Sequence, residues 1–189
     1  MLSKSNILEA HKVHTRLLKK DELDMYLAHL QRLDRKTREQ RFDHAICDKA
    51  LEAHCNTLNK YETRVLGAFI DNKMRGTCEI SKRFYLNCQP VRELAFSVEA
   101  EFQGHKIGSS LMKKSLRLVN PSTAMIYCQL SNMGMIALAE KFDANIILKR
   151  DHVVSKLRYK QKTKKNIFLN SNQFEMTNLS DLVNINPHF

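Results

Sequence analysis

Between residues 91 and 112 the spacing of apolar positions changes its period. Arg92 to Val98 alternates, with Leu94, Phe96 and Val98 on one side and Glu93, Ala95 and Ser97 on the other, the repeat of a strand. From Ser109 onward Leu111, Leu116, Leu118 and Val119 fall at helical spacing among Lys113, Lys114 and Arg117. Gln103-Gly104-His105-Lys106-Ile107-Gly108 lies between the two patterns. A strand entering a helix through a glycine-bearing loop gathers unpaired N–H groups at the positive end of the helix dipole. Such a place suits a phosphate.

The remaining pattern is arranged around this unit. Val13 to Leu18 alternates as a first strand, and Asp21 is placed to cap a helix carrying Leu23, Tyr26, Leu27, Leu30 and Leu33. The charged segment 34–42 is expected to be a helical bridge, and Asp48 to Leu58 a further helix. Arg64 to Asp71 and Met74 to Phe84 read as a hairpin turning at Asp71-Asn72-Lys73, and residues 85–90 lead into the strand described above. Beyond Asn120-Pro121 come a strand over Thr123–Leu130, a helix over Met133–Phe142, and strands over Asn145–Lys149 and Val153–Tyr159. The order is β-α-α-β-β-β-α-β-α-β-β, an α/β protein with a central antiparallel meander.

Composition adds limits. The 189 residues suffice for one domain with a substantial core, and 43% apolar with 27% charged residues is the balance of a soluble protein. No apolar run approaches the roughly 18 residues of a membrane span. The start MLSKSNILEAHK has no apolar signal core, and the five cysteines are scattered without a C-x-x-C pair. Both point to a reducing cytoplasm. A net charge of +11 fits a polyanionic ligand, and much of the excess falls between Lys149 and Lys165. The dense run 156–165 reads as a solvated edge and extension, or as a docking tail for nucleic acid or an acidic partner. No stacking aromatic beyond Tyr159 accompanies it, which weakens single-strand binding. His44, Cys47, His54 and Cys55 cluster in sequence but lack the short ligand pairs of a zinc site, so no metal is expected.

Gln103, Gly104 and Gly108, after a strand and before a helix, resemble the acyl-CoA-binding core of the GCN5-related N-acetyltransferase (GNAT) superfamily. Asn132 ahead of the next helix is a second feature, in the right order and strand context. The resemblance spans about residues 11–160, giving an acyltransferase domain over 1–160 and an extension over 161–189. It implies a mixed central sheet with helices on both faces. It also implies that acetyl-CoA, as co-substrate, lies against backbone groups of Phe96, Ser97 and Val98, the loop Gln103, Gly104, His105, Lys106, Ile107, Gly108 and Ser109, and Asn132. Lys106 replaces the middle glycine of the family pattern, and Ala139 replaces a tyrosine that protonates the leaving thiolate in many members.

Acetyl transfer to an amine is the chemistry so implied, and the ammonium must lose a proton before it can attack. A three-residue loop at Tyr85-Leu86-Asn87 would set Glu79 directly opposite Glu93. Repulsion there would raise a carboxyl pKa toward the range of a useful base. Glu93 is the expected base, since the resemblance implies an acidic residue on this strand, with Glu79 assisting. Cys78, Cys88 and Cys128 are expected to be core thiols rather than nucleophiles. The acceptor, a small-molecule or protein amine, is not legible. A CoA-binding protein without turnover and a basic nucleic-acid-binding protein stand as alternatives, no membrane partner is expected, and a homodimer is left open.

Overall fold

The computed structural model describes residues 13–58 and 62–159. Its strands are His14–Leu17 (β1), Arg64–Ile70 (β2), Lys73–Ile80 (β3), Phe84–Leu86 (β4), Gln89–Val98 (β5), Thr123–Gln129 (β6), Asn145–Lys149 (β7) and His152–Leu157 (β8). Its helices are Leu23–Arg32 (α1), Arg35–Phe42 (α2), Asp48–Leu58 (α3), Ile107–Val119 (α4) and Met133–Lys141 (α5). The strands form one mixed sheet in the order β1-β2-β3-β5-β6-β8-β7, with β4 paired to the start of β5. The expected extension 161–189 and most of the basic run 156–165 lie outside the described residues.

Alternation along β2 decides which layer each residue joins. Val65 faces a cluster with Tyr26, Leu30 and Leu33 of α1 and Leu51, Cys55 and Leu58 of α3. Leu66, Ala68 and Ile70 face the other way, into a larger core with Ile107, Leu111, Met112 and Leu116 of α4. Helices therefore cover both faces of the sheet. Leu30, Leu51, Leu66 and Leu111 are fully buried, each contributing about 1.5–3 kcal/mol by leaving water.

The order is one short strand richer than the periodicity predicts, and the helical bridge expected over 34–42 is a separate helix. Asp34 separates α2 from α1 by capping it, its carboxylate accepting from Thr37 N at 2.9 Å and Thr37 Oγ1 at 2.6 Å. Asp21, the expected cap of α1, lies instead in a 3₁₀ turn over Lys20–Glu22, and Glu22 accepts from Lys19 N at 2.9 Å. The strand expected over Met74–Phe84 ends at Ile80, and β4 begins afresh at Phe84. The β4–β5 hairpin turns on two residues, Asn87 and Cys88, both left-handed (φ 47° and 60°), rather than on a three-residue loop. The direct opposition of Glu79 and Glu93 is thereby overturned: Glu79 pairs with Ala95 and Ile80 with Leu94.

The sheet divides at β5. Among the described residues its parallel pairing with β6 covers only Val91–Glu93 against Thr123–Met125, and Leu94–Val98 continues beside β3 alone. Bonds from Glu99 N to Arg75 O and from Ser81 N to Glu93 O, each 3.0 Å, fix the phase of the β3–β5 ladder. Alternation then directs the backbone groups of Ala95 and Ser97 to β3, and those of Phe96 and Val98 into the gap.

Candidate active site

The gap opens toward the start of α4. A 3₁₀ turn over Ala100–Phe102 carries the chain off β5, and Gly104 and Lys106 then take left-handed conformations (φ 79° and 64°). Lys106 thus adopts the backbone that a glycine would adopt freely, at a cost of roughly 1–2 kcal/mol for a residue with a Cβ. It stands at the N-cap of α4 with an exposed side chain and no side-chain cap. The first helical bond comes from Ser110 N to Lys106 O at 2.9 Å, so the amides of Ile107, Gly108 and Ser109 precede the ladder and point out of the helix.

Two neighbours shape this end. Lys141 of α5 donates to Ser109 Oγ at 3.1 Å, bringing a second ammonium beside the first turn of α4. Only the spacing between two helices reveals Lys141, so no local sequence signal marks it. A Cβ on Gly76 would meet Ile107 Cγ2 at 2.8 Å and Ser97 O at 3.3 Å, so β3 carries glycine where α4 rests on the sheet. Gln103 braces the loop, donating to Val98 O at 3.1 Å and lying 3.5 Å from Thr37 Oγ1. His105 Nδ1 is enclosed without a hydrogen-bond partner among the described residues.

Beneath the loop lies a buried network that sequence reasoning missed. Glu99 is 4% exposed and accepts from Arg75 Nη1 at 2.7 Å and Arg32 Nε at 2.9 Å, with His29 Nδ1 at 3.3 Å. Burial alone would raise its carboxyl; the hydrogen bonds from His29, Arg75 and Arg32 overrule burial and hold it at about 2. Burial lowers the His29 pKa, outweighing Glu99. A neutral ring gives one consistent arrangement, with Nδ1–H donated to Glu99 and Nε2 accepting from Ser97 Oγ at 3.0 Å, itself 2.8 Å from Thr77 Oγ1. Ser97 is therefore engaged on the β3 side, leaving Phe96 and Val98 as the backbone that faces the gap. The available signal was a histidine and an arginine three apart on the apolar side of α1.

A second cluster surrounds Glu79. Its Oε2 accepts from Tyr26 OH, Arg41 Nη2 and His54 Nε2, all at 2.8 Å. Burial opposes ionisation, yet the Arg41 charge and the bonds from His54 and Tyr26 hold the carboxyl at about 2. Arg41 and His54 join the site from α2 and α3, segments whose sequence shows only charge and helical spacing. Glu93 lies two residues from Ala95 on the same face and is open to solvent. Surrounding protein raises its carboxyl, Glu79 adds to the rise and Arg41 opposes it.

The other expected residues divide. Asn132 caps α5, its Oδ1 accepting from Met135 N at 3.1 Å, which leaves the amide nitrogen as its free donor. Ala139 is fully buried. Cys78 and Cys128 are core thiols, whereas Cys88 is exposed in the β4–β5 turn, where a left-handed pair needs no burial. His54 serves Glu79 and Cys55 is buried with its thiol pushed up to about 12, chiefly by burial. Among the described residues no three of His, Cys, Asp and Glu are grouped to hold a metal ion, and no helix is long and apolar enough to cross a membrane. An open pocket of about 600 Å³ lies between Asp43, Ser131, Asp151 and His152, with His152 Nε2 and Asp43 Oδ2 2.7 Å apart at its edge.

Residues 26–144 match the family model described as Acetyltransferase (GNAT) family. Among curated protein sequences none matches. Solved structures share the fold at low identity. The GNAT domain of S. lividans PAT is 15% identical with a TM-score of 0.63, covering 77% of this chain and 89% of that one. The PaiA N-acetyltransferase of Thermoplasma acidophilum, in complex with coenzyme A, is 14% identical with a TM-score of 0.56 (78% and 99% covered). The yncA protein of Salmonella typhimurium, with its cofactor acetyl-CoA, is 13% identical with a TM-score of 0.56 (82% and 98%).

Proposed function

The chain belongs to the acetyltransferase (GNAT) family, and we propose that it transfers the acetyl group of acetyl-CoA to an amine by direct attack in a ternary complex. The carrying observation is the gap between β5 and β6 running to the uncapped start of α4. The amides of Ile107, Gly108 and Ser109 hold the pyrophosphate, assisted by the ammonium groups of Lys106 and Lys141. The pantetheine arm lies in the gap against Phe96 and Val98, with the Asn132 amide nitrogen on its other side. An outward amide of β5 polarises the thioester carbonyl.

An alkylammonium of pKa near 10 must be deprotonated, and Glu93 is the base. Although the side chain reaches solvent, the protein packed around its carboxyl and the charge of Glu79 raise it, the direction that favours taking a proton. Glu79, committed to three donors, stays ionised and acts through its charge. The amine approaches through the pocket beside Asp43 and His152. The cysteines of the described residues are free thiols, which suits a cytoplasmic setting.

Buried Ala139, which offers no hydroxyl, favours a second reading: a protein that binds CoA without turnover. A thermal-shift titration with acetyl-CoA, CoA and ATP, followed by an amine panel monitored for CoA release, separates the two. Acetyl-CoA at 100 times its dissociation constant should stabilise the protein by about 2.7 kcal/mol. No shift with either CoA species in a folded sample overturns both readings. An equal shift with ATP reduces the site to polyphosphate binding, and CoA binding without release across the panel favours the second reading.

A further inference from the structure

When a thioester collapses, its C–S bonding pair goes to sulfur, and a thiol of pKa near 8.5 leaves as the thiolate unless a donor stands beside it. Tyr127 is two places beyond Met125, and Met125 is the last β6 residue paired with β5, opposite Glu93. The two-residue repeat puts its ring on the face of Glu93 and Met125, at the closed end of the gap. Its hydroxyl lies 3.9 Å from Met125 Sδ, so the ring leans back along β6 toward the Glu93 pair. A thioether is a weak acceptor, and it is the only hydrogen-bond partner of this hydroxyl among the described residues. Tyr26 differs: it is fully buried and committed to Glu79. Tyr127 is 41% exposed. Burial, and then the Glu93 carboxylate, raise its phenol pKa, so the proton stays in place at neutral pH.

Length agrees with this placement. From Glu99, where β5 meets the loop, back to Glu93 is six residues of strand, about 20 Å. An extended phosphopantetheine arm is of that scale, and it brings sulfur to the closed end when pyrophosphate sits at α4. We propose that Tyr127 donates its hydroxyl to the sulfur of coenzyme A and protonates it as it leaves, an inference resting on the acetyl-transfer reading. The ammonium first gives one proton to Glu93, which passes it to solvent. The nitrogen then bonds the acetyl carbon, the C–S bond breaks with its pair going to sulfur, and the Tyr127 proton completes the thiol. The second nitrogen proton, lost on collapse, restores the phenol.

The test needs no acceptor. The thiol of CoA bound in the binary complex is titrated through the ultraviolet absorbance of its thiolate, in the parent and in Tyr127→Phe. A hydrogen bond to a charged sulfur should make the bound thiolate-to-thiol ratio about tenfold higher in the parent at a given pH, with the dissociation constant of the thiol form, measured below the titration, unchanged. Identical titrations overturn the role of Tyr127 while leaving CoA binding intact. Loss of CoA binding in Tyr127→Phe also overturns it, since the ring would then belong to the binding surface. Failure of the parent itself to bind CoA overturns the acetyl-transfer reading and this inference with it.

Discussion

Glu79 and Glu93 share one face of the sheet, Glu79 opposite Ala95 and Glu93 one pleat repeat further along β5, yet their carboxyls move in opposite directions. Glu79 receives three hydrogen bonds on one oxygen and drops to about 2; Glu93 is raised. The pair divides into a carboxyl held ionised and one whose ionisation is opposed, the contrast on which their proposed roles rest.

Glu93→Gln should lower kcat by roughly 10²–10⁴-fold and leave acetyl-CoA affinity nearly unchanged. The parent rate should rise with pH through the Glu93 titration, and the variant should lose this limb. Because the folded pKa is raised, Glu93 favours the fold at low pH and the benefit fades as pH rises, so the variant should melt no lower than the parent at pH 7. Near-normal turnover in the variant, with any accepted amine, would remove Glu93 as the base.

Glu79→Gln leaves the nearly buried Arg41 without its carboxylate. Urea unfolding at pH 7 should show a loss of about 3–5 kcal/mol. Glu79 contributes to the raised pKa of Glu93, so the acid limb of the rate profile should shift to lower pH. A shift to higher pH would contradict this coupling.

Glu99 has a folded pKa of about 2 against an ordinary 4.5, so its stabilisation is full above 4.5 and is lost as pH falls toward 2. This corresponds to about 3 kcal/mol. Equilibrium unfolding across that window should show Glu99→Gln already destabilised at pH 7 and much flatter in acid. A parallel fall in both proteins would mean that the network does not hold the charge.

Lys106→Gly should raise stability by about 1 kcal/mol, because it removes a Cβ from a left-handed position. The same change should weaken CoA binding at low ionic strength, and the difference should shrink as salt screens the phosphates. Calorimetric titration at two salt concentrations checks this. Tighter binding by the glycine variant would mean that the lysine crowds the loop.

Gly76→Ala puts a methyl group within 2.8 Å of Ile107, at the first turn of α4. The Ser97 carbonyl at 3.3 Å gives it little room to move away. A cost of about 1–3 kcal/mol is expected, with weaker CoA binding as the start of α4 is displaced. Unchanged CoA affinity would show that α4 absorbs the methyl elsewhere.

Elements with a regular period were legible: alternation gave β5, helical spacing gave α4, and Asn145–Lys149 matched β7 residue for residue. The α4 loop was legible because a strand, a glycine and a helix follow one another along the chain. Register was not. It depended on a two-residue turn at Asn87 and Cys88 and on the break between Ile80 and Phe84, which shifts the pairing by one residue, and a cysteine gives no sign that it will adopt φ 60°. Glu99, Arg41, His54 and Lys141 matter through partners 24 to 70 residues away, as with Arg75 and Glu99 or His29 and Glu99. Spacing along one segment cannot report such contacts.

The division of the sheet at β5 has a further consequence. Exposed strand edges invite other chains to add to them, and outer edges are where proteins guard against this. Here the unpaired stretch lies inside the sheet, between β3 on one side and the diverging β6 on the other. An added strand needs an outer edge to lie against, and this stretch has β3 and β6 on either side of it. The molecule keeps main-chain groups available for recognition without offering a template for aggregation.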